Sequence, residues 1–77
     1  MDELLKRIVI NPKVMVGKPV IKGTRITVEH IMRELATGIS AAEVVALYPH
    51  LTIDDVKAAC AYAAARLAEE RITLAAE

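Results

Sequence analysis

At Thr27 the chain changes its period, and that change constrains the fold more than any other feature. Before it, apolar residues come in short β-branched runs: "IVI" at 8–10, "VMV" at 14–16 and "VI" at 20–21. Asn11-Pro12, Gly17 and Gly23 cut these runs, so residues 8–27 read as brief extended segments joined by turns. After Thr27, Val28, Ile31, Met32, Leu35 and Ile39 recur at the three- and four-residue steps of a helix. A ribbon therefore comes first, and helices follow.

Within the ribbon, Val20-Ile21 and Arg25-Ile26 flank Lys22-Gly23-Thr24, a short hairpin loop in which Gly23 meets a need for positive φ. Thr24 is placed to hydrogen-bond within that turn. Pro19 has no N–H to give a ladder, which predicts an edge. Two-stranded ribbons are marginal alone, so the apolar side must pack on the helices.

Three helices are expected. Thr27 is suited to cap the first, and Gly38 to end it, with Ile39 folding back on the last turn. Ser40-Ala-Ala-Glu43 has the form of a capping box opening a second, short helix with Val44, Leu47 and Tyr48, which Pro49 stops. Thr52-Ile-Asp-Asp55 repeats the pattern and opens a third helix running to about Glu70, its two acids in the positive first turn. There Ile53, Val56, Cys60, Ala63 and Leu67 form a narrow seam spaced 3, 4, 3, 4. Ala58, Ala59, Ala61, Ala64 and Ala65 leave the other faces small enough for close helix approach. The fold class is mainly α, one domain over 1–77: a basic β-ribbon at 7–27, three helices at 28–70 with helix-turn-helix proportions in the last two, and a tail at 71–77.

A chain of 77 residues, 55% apolar and without Phe or Trp, has more apolar surface than so small a domain easily hides. A homodimer is the expectation, with Val56, Cys60, Ala63 and Leu67 as its interface. No apolar run approaches the roughly 18 residues of a membrane helix, and the acidic start does not suit a signal peptide. The single Cys60 excludes an internal disulfide, which fits a reducing, cytoplasmic setting.

Net charge is zero, but the charges are segregated. Leu4 to Val28 carries six cations (Lys6, Arg7, Lys13, Lys18, Lys22, Arg25) and no acid, whereas Glu29 to Glu77 carries eight acids against four cations. Such asymmetry steers partners. The segment "GKPVIKGTRIT" at 17–27 is its basic end. Two readings of Arg25 are open there. It forks to a carboxylate of its own domain, such as Glu29 or an acid of the third helix, or it joins Lys18, Lys22, Gly23 and Thr24 in a surface for phosphates or a partner's carboxylates. A P-loop is excluded by glycine spacing.

A recognition helix presents its first turn to DNA phosphates. The third helix offers Thr52, Asp54, Asp55 and only Lys57 there, so its acids suit an N-cap better than base reading. Any DNA contact falls to the ribbon, and no Phe or Trp is present for stacking on single strands. Catalytic residues are sparse. His30 reads as a surface helix residue, His50 as a turn residue and Cys60 as packing, and no spacing suggests a metal site. Asp54 and Asp55 point about 100° apart on a helix and make no paired-carboxylate site. Neither an enzyme nor a cofactor is expected.

The motifs GKPVIKGTRI, G-I-S-x-x-E, YPHLT-x-x-D-V and AYA, with their spacings across residues 7 to 69, resemble the bacterial and archaeal family catalogued as domain of unknown function 433. That family usually shows two consecutive glycines before Lys-Pro, and here Val16 takes the first place. The resemblance implies a homeodomain-like or winged-helix-like fold and a role as an antitoxin beside a PIN-like ribonuclease. Such nucleases hold metal with clustered acids, which an inserted Arg25 suits. A DNA-binding regulator of helix-turn-helix type is the alternative, and the two roles are compatible.

Overall fold

The computed structural model describes residues 2–69; Glu70 and the predicted tail at 71–77 lie outside the described residues. The chain runs α1 (Asp2–Leu5), β1 (Ile8–Val9), a tight turn at Met15–Gly17, β2 (Val20–Ile21), α2 (Val28–Ala36), α3 (Ala41–Leu47) and α4 (Ile53–Glu69). The protein is mainly helical, with a short antiparallel ribbon near its N-terminus.

The helix boundaries follow local chemistry. Thr27 is extended (φ −80°, ψ 154°), and its hydroxyl accepts the His30 N–H at 2.9 Å, capping α2. Gly38, at φ +99°, closes the C-terminal end with its N–H on the Leu35 carbonyl, a backbone state glycine adopts at no steric cost. Ser40 and Glu43 form the reciprocal box that opens α3. At α4 the Asp55 N–H donates to Thr52 Oγ1 at 3.2 Å, and the Thr52 N–H donates to Asp55 Oδ2 at 2.9 Å. Each box satisfies N–H groups that a helix start leaves unpaired.

Ile21, Val28, Ile31, Val44, Leu51, Val56 and Ala59 form the core, one or more from β2, α2, α3, α4 and the α3–α4 connection. Ile8, Ile26, Met32, Leu35, Ile39 and Tyr48 close around it. Ala58, Ala59 and Ala61 are buried, so the alanine face of α4 does admit neighbours closely, and those neighbours belong to its own chain: α1, α2, α3 and β1 all touch α4. A side chain such as Ile31, fully shielded from water, contributes about 2–3 kcal/mol by burial.

Three expectations need correction. The "VMV" run is not extended: Met15, Val16 and Gly17 have φ of +49°, +50° and +81° and fold into a turn closed by Gly17 N–H to Val14 O and Lys18 N–H to Met15 O. β-branched composition favours strands only where a neighbouring strand receives them, and here the chain must reverse between β1 and β2. The strand that pairs with Val20-Ile21 is β1 rather than Arg25-Ile26, and in this two-stranded sheet β2 is an edge as predicted. β2 pairs with β1 in the register Ile8↔Ile21 and Val9↔Val20, and on its other side Val20 bridges to Thr27. Pro19 stands just before the strand, where a missing N–H interrupts nothing. The seam of α4 also divides. Val56 lies in the core of its own chain and Ala63 packs against that core, while Cys60 is exposed and Leu67 is 56% exposed. A 3, 4 spacing on a helix packed on several sides crosses from its buried to its open face. Cys60 is therefore outside the core of its own chain, and Val56, buried in that core, is not exposed beside it.

Candidate functional site

The turn after β2 is built to hold one shape. Gly23 has φ +82° with open space around its Cα, and Thr24 braces the turn twice. Its hydroxyl donates to the Ile21 carbonyl at 2.8 Å and accepts the Ile26 N–H at 3.0 Å. The Ile21 N–H bonds the Ile26 carbonyl across the turn, and the Val28 N–H bonds the Pro19 carbonyl. Thr24 and Gly23 thus have the conformational roles their sequence positions predict.

The cations of the basic segment separate into two groups. Lys18 Nζ lies 3.2 Å from Glu29 Oε1, and Arg33 Nη2 lies 2.9 Å from Glu29 Oε2. The Lys18 hydrogen bond and charge, with Arg33 adding to them, hold the Glu29 carboxyl below its usual range. Arg7, which sequence reading did not single out, takes the acids of α4: its guanidinium is 3.1 Å from Asp55 Oδ1 and 3.7 Å from Asp54 Oδ2. Asp55, only 6% exposed, has one oxygen on Arg7 and the other in the α4 cap. The carboxylates proposed as internal partners for Arg25 therefore belong to Lys18 and Arg7. Among the described residues Lys13, Lys22 and Arg25 make no ion pair, and all three are exposed.

Arg25 rims an open depression of about 430 Å³, lined also by Val9, Asn11, Val14, Val20, Gly23 and Thr24. No acid lines it. Of the predicted surface, Lys22 is exposed on the same turn, whereas Lys18 is drawn off to the start of α2.

Elsewhere, His30 Nε2 lies 2.5 Å from Tyr48 Oη, tying α2 to the end of α3, with Glu34 3.7 Å from the imidazole. Burial, and then the negative charge of Glu34, raise the Tyr48 hydroxyl pKa. His50 is exposed in the α3–α4 connection. Among the described residues no group of three His, Cys, Asp or Glu side chains gathers to hold a metal ion, and no helix is long and apolar enough to cross a membrane.

Fold and site define a small, mainly helical domain that carries an N-terminal β-ribbon with exposed cations on its turn. Over residues 8–63 the chain matches the model of the family described as protein of unknown function (DUF433), and it belongs to that family. A crystal structure of a DUF433 member protein from Anabaena variabilis is similar to it, with a TM-score of 0.77 and 32% identity over 88% of this chain and 67% of that one. An uncharacterized protein of Archaeoglobus fulgidus is 62% identical over 29 residues, which are 38% of this chain and 81% of that protein.

Proposed function

We propose that the chain is a small non-catalytic binding module whose ribbon turn grips an acidic protein partner, and that this partner is a PIN-like ribonuclease which the module neutralises as an antitoxin. The observation that carries the reading is the division among the cations. Arg7 and Lys18 are held by acids of their own chain, while Arg25 stands exposed and, among the described residues, without an ion pair on a turn whose backbone is braced from both sides. A guanidinium offers planar, forked donors that match carboxylates, and here a rigid support presents it. The choice of a ribonuclease rests on the family resemblance and on the clustered acids such an enzyme presents.

The same exposed cations also suit phosphates, which favours a duplex-DNA-binding regulator as the second reading. The start of α4 lends that reading no support, because Asp55 is engaged in its cap and with Arg7.

The test is RNA cleavage by each PIN-like ribonuclease of the same genome, with and without the purified chain. Stoichiometric inhibition that Arg25→Glu abolishes, at an unchanged thermal midpoint, is the expected result. Loss of the fold in that variant would make Arg25 structural. No inhibition, with duplex retention at about 50 mM salt that falls steeply as salt rises, would put the regulator in place of the antitoxin.

A further inference from the structure

The depression beside Arg25 has a chemistry that a purely electrostatic surface does not need. Val9, Val14 and Val20 line it, but Val20, paired with Val9 across the two strands, is only 1% exposed, so Val9 and Val14 offer the accessible apolar surface. Val9 and Val14 are half-buried, yet neither belongs to the side chains that pack around the core. They form a separate apolar floor. Of the polar groups in the lining, Thr24 Oγ1 is used within its own turn and Asn11 Oδ1 accepts the Lys13 N–H. Arg25 and the Asn11 amide supply the side-chain donors that remain. The depression's volume falls within the range of about 300–1,000 Å³ in which small groups are bound.

A phosphate backbone gains nothing from two accessible valines, and the chain has no Phe or Trp on which bases would stack. A peptide gains from both halves. Alternate side chains of an extended segment lie on one face about 7 Å apart, so one can meet the apolar floor while a near neighbour reaches the guanidinium. We propose that this depression docks an extended acidic segment of a partner protein, one apolar side chain seating on Val9 and Val14 and a carboxylate within two positions of it pairing with Arg25. The proposal rests on the reading of the ribbon as a partner-binding surface, and adds an apolar anchor and a linear pattern to it.

The experiment is selection of short random peptides displayed on phage against the immobilised full chain, followed by affinity measurement and amide-shift mapping with the synthesised winners. The expected peptides pair an aliphatic residue with Asp or Glu within two positions and shift the amides of Val9, Val14 and Gly23. Their affinity drops about tenfold or more with Arg25→Glu and about tenfold with Val14→Ser. Val9→Thr, on the strand and outside the core, gives a second readout should Val14→Ser disturb its turn. Winners that lose affinity with Arg25→Glu but ignore both valine variants refute the apolar anchor and leave the anion-binding surface standing. Winners indifferent to Arg25→Glu refute the pairing of a carboxylate with Arg25, and with it both the acidic-segment proposal and the cationic surface. A selection without specific winners overturns the linear-peptide proposal, and the ribonuclease assay then decides the broader reading on its own.

Discussion

Replacing Val16 by glycine tests whether the turn between the strands stores backbone strain. Val16 sits at φ +50°, ψ 38°, in a region that places Cβ against the following carbonyl and costs an L-residue about 1–2 kcal/mol. Its side chain is 89% exposed, so packing returns little of that cost: about 0.2 kcal/mol if full burial of a valine is worth about 1.5–2 kcal/mol. Glycine also widens the unfolded ensemble, a penalty of about 0.4–1 kcal/mol. The balance is a net stabilisation of about 0.5 kcal/mol. For a domain of this size, that raises the thermal midpoint by about 2–4 °C. Urea unfolding should show a higher midpoint at an unchanged slope. Val16→Ala keeps the Cβ and should gain less, and Gly17→Ala, at φ +81°, should lose about 1 kcal/mol or more. The added Cβ at Gly17 would meet Pro12 Cα at 3.8 Å, an ordinary contact, so that loss is conformational. A lower midpoint for Val16→Gly would refute the strain argument and show that the valine makes a contact its exposure does not reveal.

Two further predictions concern the ion pairs. Arg7→Met should destabilise the protein by about 1–2 kcal/mol, read by thermal or urea unfolding, because it leaves the buried Asp55 oxygen without its donor; a neutral result would show that the Thr52 cap alone satisfies this carboxylate. Glu29 titrates lower in the folded chain than in the unfolded one, so its contribution is present above the ordinary carboxylate pKa near 4.5 and is lost as pH falls through the lower folded value. Thermal midpoints measured from pH 6 downward should therefore fall less in Glu29→Gln than in the parent, and parallel profiles would count against the Lys18–Glu29–Arg33 pairing.

The parts of the fold legible in the sequence are those whose causes are local. Thr27, Gly38, the Ser40–Glu43 box and the Thr52–Asp55 box lie within four residues of the groups they satisfy, and each acts as its pattern predicts. The Lys22-Gly23-Thr24 turn is legible for the same reason. α1 spans four residues, too few for a period to show, and it packs on α4, far away in sequence. Pairing of β1 with β2 crosses the Met15–Gly17 turn, whose positive φ values at Met15 and Val16 run against the preferences of both side chains. The candidate site shows the same division. Its residue types are evident in GKPVIKGTRI, but which cation is free depends on Arg7 meeting Asp55 across 48 positions, and neither composition nor spacing encodes that. The α4 seam was legible only as a stripe: an apolar repeat does not say that Val56 and Ala63 pack within their own chain while Cys60 and Leu67 stay exposed on it.

Thr27 is bonded in two directions: its backbone bridges to Val20 and its hydroxyl caps α2, with Arg25 two residues before it. Segments that grip ligands commonly belong to the least stable parts of a fold and lose backbone freedom on association. Residues 21–27 have already given up that freedom in folding, at about 1–2 kcal/mol for each residue fixed. A ligand held by Arg25 would restrict little more than one side chain, at about 2 kcal/mol or less. The short bonds of this turn thus shift the entropic cost of recognition from the encounter to the folding of the domain.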